Sequence, residues 1–246
     1  MQMMRTLAIG TGMALFLGAA AQAATVVGAG GIGTADGDVT AAPIGDGSFY
    51  YVSTEGGVNG AGLGLGGESD GSTYTFDAFT VGAGATLSYS FNFVTTDSGD
   101  FADYAWAMLT DVNTSATYML MTARTSSTGE SVPGAGMPAL DTNASIPGAP
   151  VTISGSAPSW SALGGASGSC YNGGIGCGYT GWVDGTFTFA ATGTYTLTFG
   201  VVNWTDSSFD SALAFTGYTI SSVPVPAAGA LLLAGLGGLG ALRRRG

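Results

Sequence analysis

The chain has 246 residues with five basic side chains against sixteen carboxylates, a formal charge of −11 at pH 7, no His, no Lys and 44 Gly. Without His there is no imidazole general base, no Ser-His-Asp triad and no ordinary histidine-ligated zinc or copper centre; without Lys there is neither a Schiff base nor a P-loop. So acidic a surface repels phosphate backbones and anionic membrane surfaces, which excludes nucleic acid and favours divalent cations and neutral or cationic polymers.

Residues 1–5 are short and basic through Arg5, residues 6–20 are apolar, and Ala21, Gln22 and Ala23 give the small-x-small pattern of a secretory signal peptide. Cleavage is expected after Ala23, so that the mature chain starts at Ala24. Residues 24–222 then make one exported domain, long enough for a sizeable core. This body holds all sixteen carboxylates and one basic residue, Arg124, a formal −15.

In chain order, residues 25–40 are Gly-rich with two aspartates and read as an edge strand or an unsettled lead-in. Residues 48–54 (Phe49, Tyr50, Tyr51, Val52) are aromatic and β-branched between glycines, which favours a strand, and residues 58–72 carry six glycines and read as loop. Tyr74 and Phe76 share one side of a strand over 73–81, and Leu87, Tyr89, Phe91 and Phe93 repeat with period two. Gly82, Ala83 and Gly84 between them predict an antiparallel hairpin. Residues 104–110 and 117–123 predict a second hairpin across Asn113, Thr114 and Ser115. Two long loops follow, 125–150 and 155–181, separated by a brief pairing segment at 151–154. The last strands are 185–191, 194–204 (Tyr195, Leu197, Phe199 and Val201 on one face) and 212–221, with Gly193 as the turn between the first two. No stretch of ten or more body residues has helical periodicity. The fold class expected is all-β, an antiparallel β-sandwich of jelly-roll kind.

Four groups of body residues carry candidate chemistry. Cys170 and Cys177 lie in a Gly-rich loop of a chain bound for an oxidising compartment, which predicts a local disulfide. Asp97, Asp100 and Asp103 in one loop and Asp206 and Asp210 in another form a hard-cation site for Ca²⁺ if the fold brings the loops together. Aspartate is equally a good turn residue in solvated loops. Trp160, Tyr171, Tyr179, Trp182 and Trp204 offer flat faces for sugar rings, or caps for the core. The three glutamates, Glu55, Glu68 and Glu130, leave a two-carboxylate glycosidase as the one catalytic route, and nothing in the sequence pairs them. The expectation is a non-catalytic protein.

The C-terminal 223–246 segment has three ordered parts: Val223, Pro224, Val225, Pro226 and Ala227; an Ala/Gly/Leu run over 227–242; and Arg243, Arg244 and Arg245. As a helix the run is about 24 Å long, short of the roughly 30 Å hydrocarbon core, yet able to span with thinning of the bilayer and snorkelling arginines. The arginines would stay cytoplasmic. Hydropathy and charge alone also fit a plain C-terminal membrane anchor. The segment resembles the VPLPA-type variant of the PEP-CTERM sorting signals, with Val225 at the usual leucine. That resemblance implies export, transient residence of a 227–242 transmembrane helix in the inner membrane, cleavage by an exosortase-type enzyme, and delivery to the cell surface or extracellular matrix. More loosely, FNFVTTDSGDFADYAWAML (91–109) and GTYTLTFGVVNWTDSSFDSALAFTGYTI (193–220) resemble the lectin-like β-sandwich bodies that such proteins carry, which implies association with exopolysaccharide. A purely structural matrix protein with no defined ligand is the rival expectation.

Overall fold

The period-two runs fold as strands in a computed structural model that describes residues 23–173 and 175–222. In chain order the strands are β1 (Ala24–Val27), β2 (Ala29–Gly33), β3 (Phe49–Ser53), β4 (Val58–Asn59), β5 (Glu68–Phe76), β6 (Phe79–Val81), β7 (Thr86–Thr95), β8 (Tyr104–Asp111), β9 (Thr117–Arg124), β10 (Glu130–Val132), β11 (Ala144–Ser145), β12 (Val151–Thr152), β13 (Gly178–Tyr179), β14 (Val183–Thr188), β15 (Gly193–Trp204), β16 (Ser211–Phe215) and β17 (Thr219–Ser221). Two antiparallel sheets take nearly all of them. One runs β1-β5-β15-β8-β9, with β4 beside β5 and β6 beside β15. The other runs β11-β14-β7-β16-β3-β2, with β13 and β17 beside β7.

One face of each sheet supplies a shared core, the arrangement of a β-sandwich. Tyr195, Leu197, Phe199 and Val201 of β15, Tyr74 and Phe76 of β5, and Leu87, Tyr89, Phe91 and Phe93 of β7 all belong to it, as their alternation requires. Phe199 and Phe215, one from each sheet, stack with centroids 4.1 Å apart and planes 9° apart. On the outer face of the first sheet, Thr75 and Thr198 share a hydroxyl contact of 3.0 Å. Tyr104, Trp106 and Val202 form a separate buried cluster on that face. Gly200 makes room for it, since a Cβ there would meet Trp106 Cε2 at 2.4 Å.

Several expectations are corrected. The 73–81 and 87–93 strands are not a hairpin: β6 pairs with β15, whereas β7 pairs with β14 and β16 in the other sheet. The Gly82–Gly84 turn carries the chain from one layer to the other, because the apolar faces of the two strands oppose each other across the core. Gly193 likewise does not join paired neighbours, since β14 and β15 lie in different sheets. The second hairpin stands, with β8 and β9 paired from Tyr104↔Arg124 to Thr110↔Thr117. Residues 58–72 are not all loop: β4 and the start of β5 lie there. Gly71 is glycine because β15 passes too close for a side chain, with Val201 O 2.4 Å from where a Cβ would stand.

The 125–150 segment contains β10 and β11 and covers the outer edge of β9. Asp141 N–H donates to Met119 O at 2.8 Å, and Gly134 N–H donates to Thr122 O at 3.2 Å. The opposite flank is open among the described residues: β1 and β2 end their sheets, each paired on one side. Val26, Val27 and Ile32 are exposed there, and residues 23–35 carry no charge and no proline.

No helix among the described residues is long and apolar enough to cross a membrane. The expected transmembrane run 227–242, the sorting motif Val223 to Ala227, Arg243 to Arg245, and the Ala21 side of the cleavage pattern lie outside the described residues. Ala23 and Ala24 lie inside them: Ala23 O accepts from Asp77 N–H at 3.0 Å, and Ala24 opens β1 opposite Phe76.

Candidate functional site

Antiparallel register brings six strand ends to one pole of the sandwich. Thr95 at the end of β7 faces Ser211 at the start of β16, Tyr104 faces Val202, Trp204 faces Glu68, and Ala212 faces Ser53. The aspartates expected to gather are all in loops at this pole, but they do not form one cradle. Asp103 is fully buried: its Oδ2 accepts from Ser211 Oγ at 2.6 Å and its Oδ1 from Trp204 N–H at 2.8 Å. Ser211 Oγ also meets Thr95 Oγ1 at 2.8 Å, and Thr95 Oγ1 accepts from Asp97 N–H at 3.1 Å. Asp210 lies elsewhere, its Oδ1 accepting from Thr54 Oγ1 at 2.9 Å. Asp100 is exposed. Among the described residues no three His, Cys, Asp or Glu side chains are placed to hold a metal ion. The five-aspartate Ca²⁺ site is therefore corrected: Asp103 and Asp210 tie strands together instead of facing a shared cavity.

Burial dominates the electrostatics here. It pushes the Asp97 carboxyl up to about 7, with Asp206 adding to the rise against the pull of the Ser98 N–H. Burial likewise drives Asp103 well above the carboxylate range, with Asp97 and Asp206 adding to it. Asp210 is raised to about 6 by burial and by Glu55 and Asp70, against the Thr54 hydroxyl. Arg124 does not answer this charge cluster directly. Its guanidinium lies 4.5 Å from the Trp204 ring centroid and donates to Ala102 O and Ala135 O.

The same loops build a shallow cleft of about 210 Å³, lined by Ser98, Asp100, Ser127, Tyr171, Asn172 and Ile175. Tyr171 stands edge-on between Phe101 and Phe209, each with its ring centroid 5.1 Å away. The Cys170–Cys177 disulfide is formed and closes the loop that carries this tyrosine. Of the other expected stacking rings, Trp160 is 3% exposed and packs against Phe49 and Tyr51, so it is a core residue. Trp182 is half-buried on Phe49 with Nε1 donating to Thr40 O, and half-buried Tyr179 is fastened through its backbone to Ser154. Of the expected stacking rings, Tyr171 is the one that lines this cleft.

Glu68, Glu55 and Glu130 are not assembled as a pair at this cleft. Glu68 accepts from the Tyr104 hydroxyl at 2.5 Å and from Leu65 N–H at 2.8 Å; these bonds hold its carboxyl below its usual value although burial pushes it up. Sequence reasoning missed Asn203, which is fully buried. It follows Tyr195, Leu197, Phe199 and Val201 at the same parity, and a polar residue on an inward face was the signal. Compared with known protein families, curated proteins and solved structures, the chain matches none of them.

Proposed function

We propose that this is an exported, non-catalytic surface or matrix protein that binds neutral glycan through the Tyr171 cleft. In this reading the sandwich is jelly-roll-like, residues 1–23 are removed as a signal peptide, and the 223–246 tail is read by an exosortase-type enzyme after transient residence in the inner membrane. The observation that carries it is the cleft: one aromatic ring braced by two phenylalanines, beside Asp100, Asn172 and Ser127 as hydrogen-bonding groups. Sugar recognition needs a stacking face with a few fixed polar groups, and a chain nearly devoid of cations suits an uncharged polymer. Affinity electrophoresis in gels holding neutral polysaccharide is expected to retard the protein, with Tyr171→Ala lowering affinity at least about tenfold, the effect of losing some 1.4 kcal/mol. Equal migration with and without every polysaccharide tried would end the glycan reading. Intact mass of native surface material checks both processed ends.

The open flank favours a second reading, a structural matrix protein that associates with itself. Unpaired edges without charge or proline are templates for strand addition. Val27→Lys with Ile32→Lys is expected to reduce any dimer or larger species seen by light scattering, with the fold retained by circular dichroism. Unchanged association in that variant would place the contact elsewhere.

A further inference from the structure

At the entry to β5 and the exit from β15 the polar bookkeeping fails in a particular way. Ser69 Oγ lies 3.1 Å from Asp70 Oδ1 and 3.3 Å from Asn203 O, and it also contacts Asp206 O. A hydroxyl has one proton to donate, so three acceptor oxygens cannot all be satisfied by it. Beside them, the fully buried Asn203 donates from Nδ2 to Asp70 Oδ1 at 3.2 Å, which sets its side-chain amide against this group. The amide Oδ1 has no hydrogen-bond partner, and neither does Oδ2 of Asp97, 1% exposed, whose carboxyl feels the Asp206 charge. Buried acceptors are nearly always partnered in folded proteins.

We propose that these oxygens form a site for a hard divalent cation of the Ca²⁺ type, held by Ser69, Asp70, Asn203 and Asp206. Ligands 2.3–2.6 Å from a Ca²⁺ ion stand about 3 Å from one another, close to the 3.1 and 3.3 Å that separate Ser69 Oγ from Asp70 Oδ1 and Asn203 O, and Ca²⁺ accepts mixed shells of carboxylate, amide, hydroxyl and backbone oxygens. The Asp70 carboxylate is the one acidic side chain in the group, and the Ser69 hydroxyl, the Asn203 amide and the backbone carbonyls of Asn203 and Asp206 complete the shell. The register slip between Val202 and Trp204 sets two β5 residues, Ser69 and Asp70, opposite the single Asn203, as bulges re-aim side chains. Only Asp206 is shared with the five aspartates expected from sequence. With a low ligand charge, the dissociation constant belongs in the range of about 10⁻⁴–10⁻³ M typical of extracellular modules. The site does not depend on the glycan reading.

The test uses full-length protein freed of metal with EDTA. Trp204 adjoins Asn203, so Tb³⁺ emission excited through tryptophan is expected to appear and to be displaced by millimolar Ca²⁺. Ca²⁺ is also expected to raise the melting temperature by several degrees over EDTA. Ser69→Ala and Asp70→Asn should each weaken binding at least tenfold, while Asp100→Asn stays within twofold of the parent. Should the variants misfold, the parent's Ca²⁺-against-EDTA comparison still decides. Absence of both the emission and the thermal shift at about 10 mM Ca²⁺, well above the range for such modules, would mean that water fills the gap and would overturn the proposal. So would full binding by folded Ser69→Ala and Asp70→Asn, or its loss in Asp100→Asn.

Discussion

Asp103→Ala is expected to lower stability by about 3 kcal/mol, and Asp103→Asn by much less. The alanine removes the acceptor for two buried donors, Trp204 N–H and Ser211 Oγ, which link the end of β15 to the start of β16 across the two sheets. Trp204 N–H is left without an acceptor, which costs roughly 1–3 kcal/mol. Ser211 Oγ can turn to Thr95 Oγ1 but loses its tie to the end of β15. The lost side-chain volume adds a cavity, and the sum is partly offset because a carboxyl no longer has to be desolvated. In a domain of this size that is a drop of about 6–12 °C in melting temperature. Asparagine keeps the shape. Its Oδ1 can stay on the Trp204 N–H while its Nδ2 donates to Ser211 Oγ, which turns its own proton toward Thr95 Oγ1. Because burial already holds Asp103 toward its neutral form, the amide resembles the state that the pole stabilises. Thermal melts of both variants near neutral pH check this; equal melting temperatures for the alanine and asparagine forms would show that Asp103 contributes bulk and not hydrogen bonds.

The core of this fold was legible because its strands alternate cleanly. Leu87, Tyr89, Phe91 and Phe93, and Tyr195, Leu197, Phe199 and Val201, face inward as their spacing demands. Which strands pair was not legible: the Gly82–Gly84 segment serves equally as a hairpin turn or as a crossing between layers, and only long-range packing of Phe199 on Phe215 separates the two. Residues 58–72 misled for a related reason. Glycine there marks the close approach of Gly71 to Val201 O, a fact about a strand 130 residues further on. At the pole, residue type located the aspartates but not their partners. Asp103 and Asp210 answer to Ser211 and Thr54, hydroxyls that look unremarkable in sequence, and Trp160 answers to Phe49. The Cys170–Cys177 bridge was readable because the chain has two cysteines, both in one Gly-rich loop, which leaves a single possible pair.

Stability is expected to fall as pH rises from about 5 to 8, the reverse of a protein held together by ionised pairs. Asp97 and Asp210 have folded values of about 7 and 6 against an ordinary 3.8, so between these limits the folded chain keeps protons that the unfolded chain has released. Where the native state binds more protons, unfolding free energy decreases with pH. Each unit of difference is worth about 1.4 kcal/mol. Discounted for mutual coupling and solvent screening, the two groups account for roughly 3 kcal/mol, lost progressively between about pH 4 and 7. The groups that face them do not reverse the sign, because Asp206 and Asp103 beside Asp97, and Glu55 and Asp70 beside Asp210, are all acidic. Below about pH 4 the trend turns over, since Asp36, Asp46 and Asp111 are held below their ordinary values by hydrogen bonds and lose them on protonation. Urea unfolding at pH 5 and pH 8 in EDTA measures the slope, and Asp97→Asn with Asp210→Asn should flatten it. A parent protein that is more stable at pH 8 would show that the carboxyls at this pole are ionised and answered by solvent or by a cation retained through the EDTA.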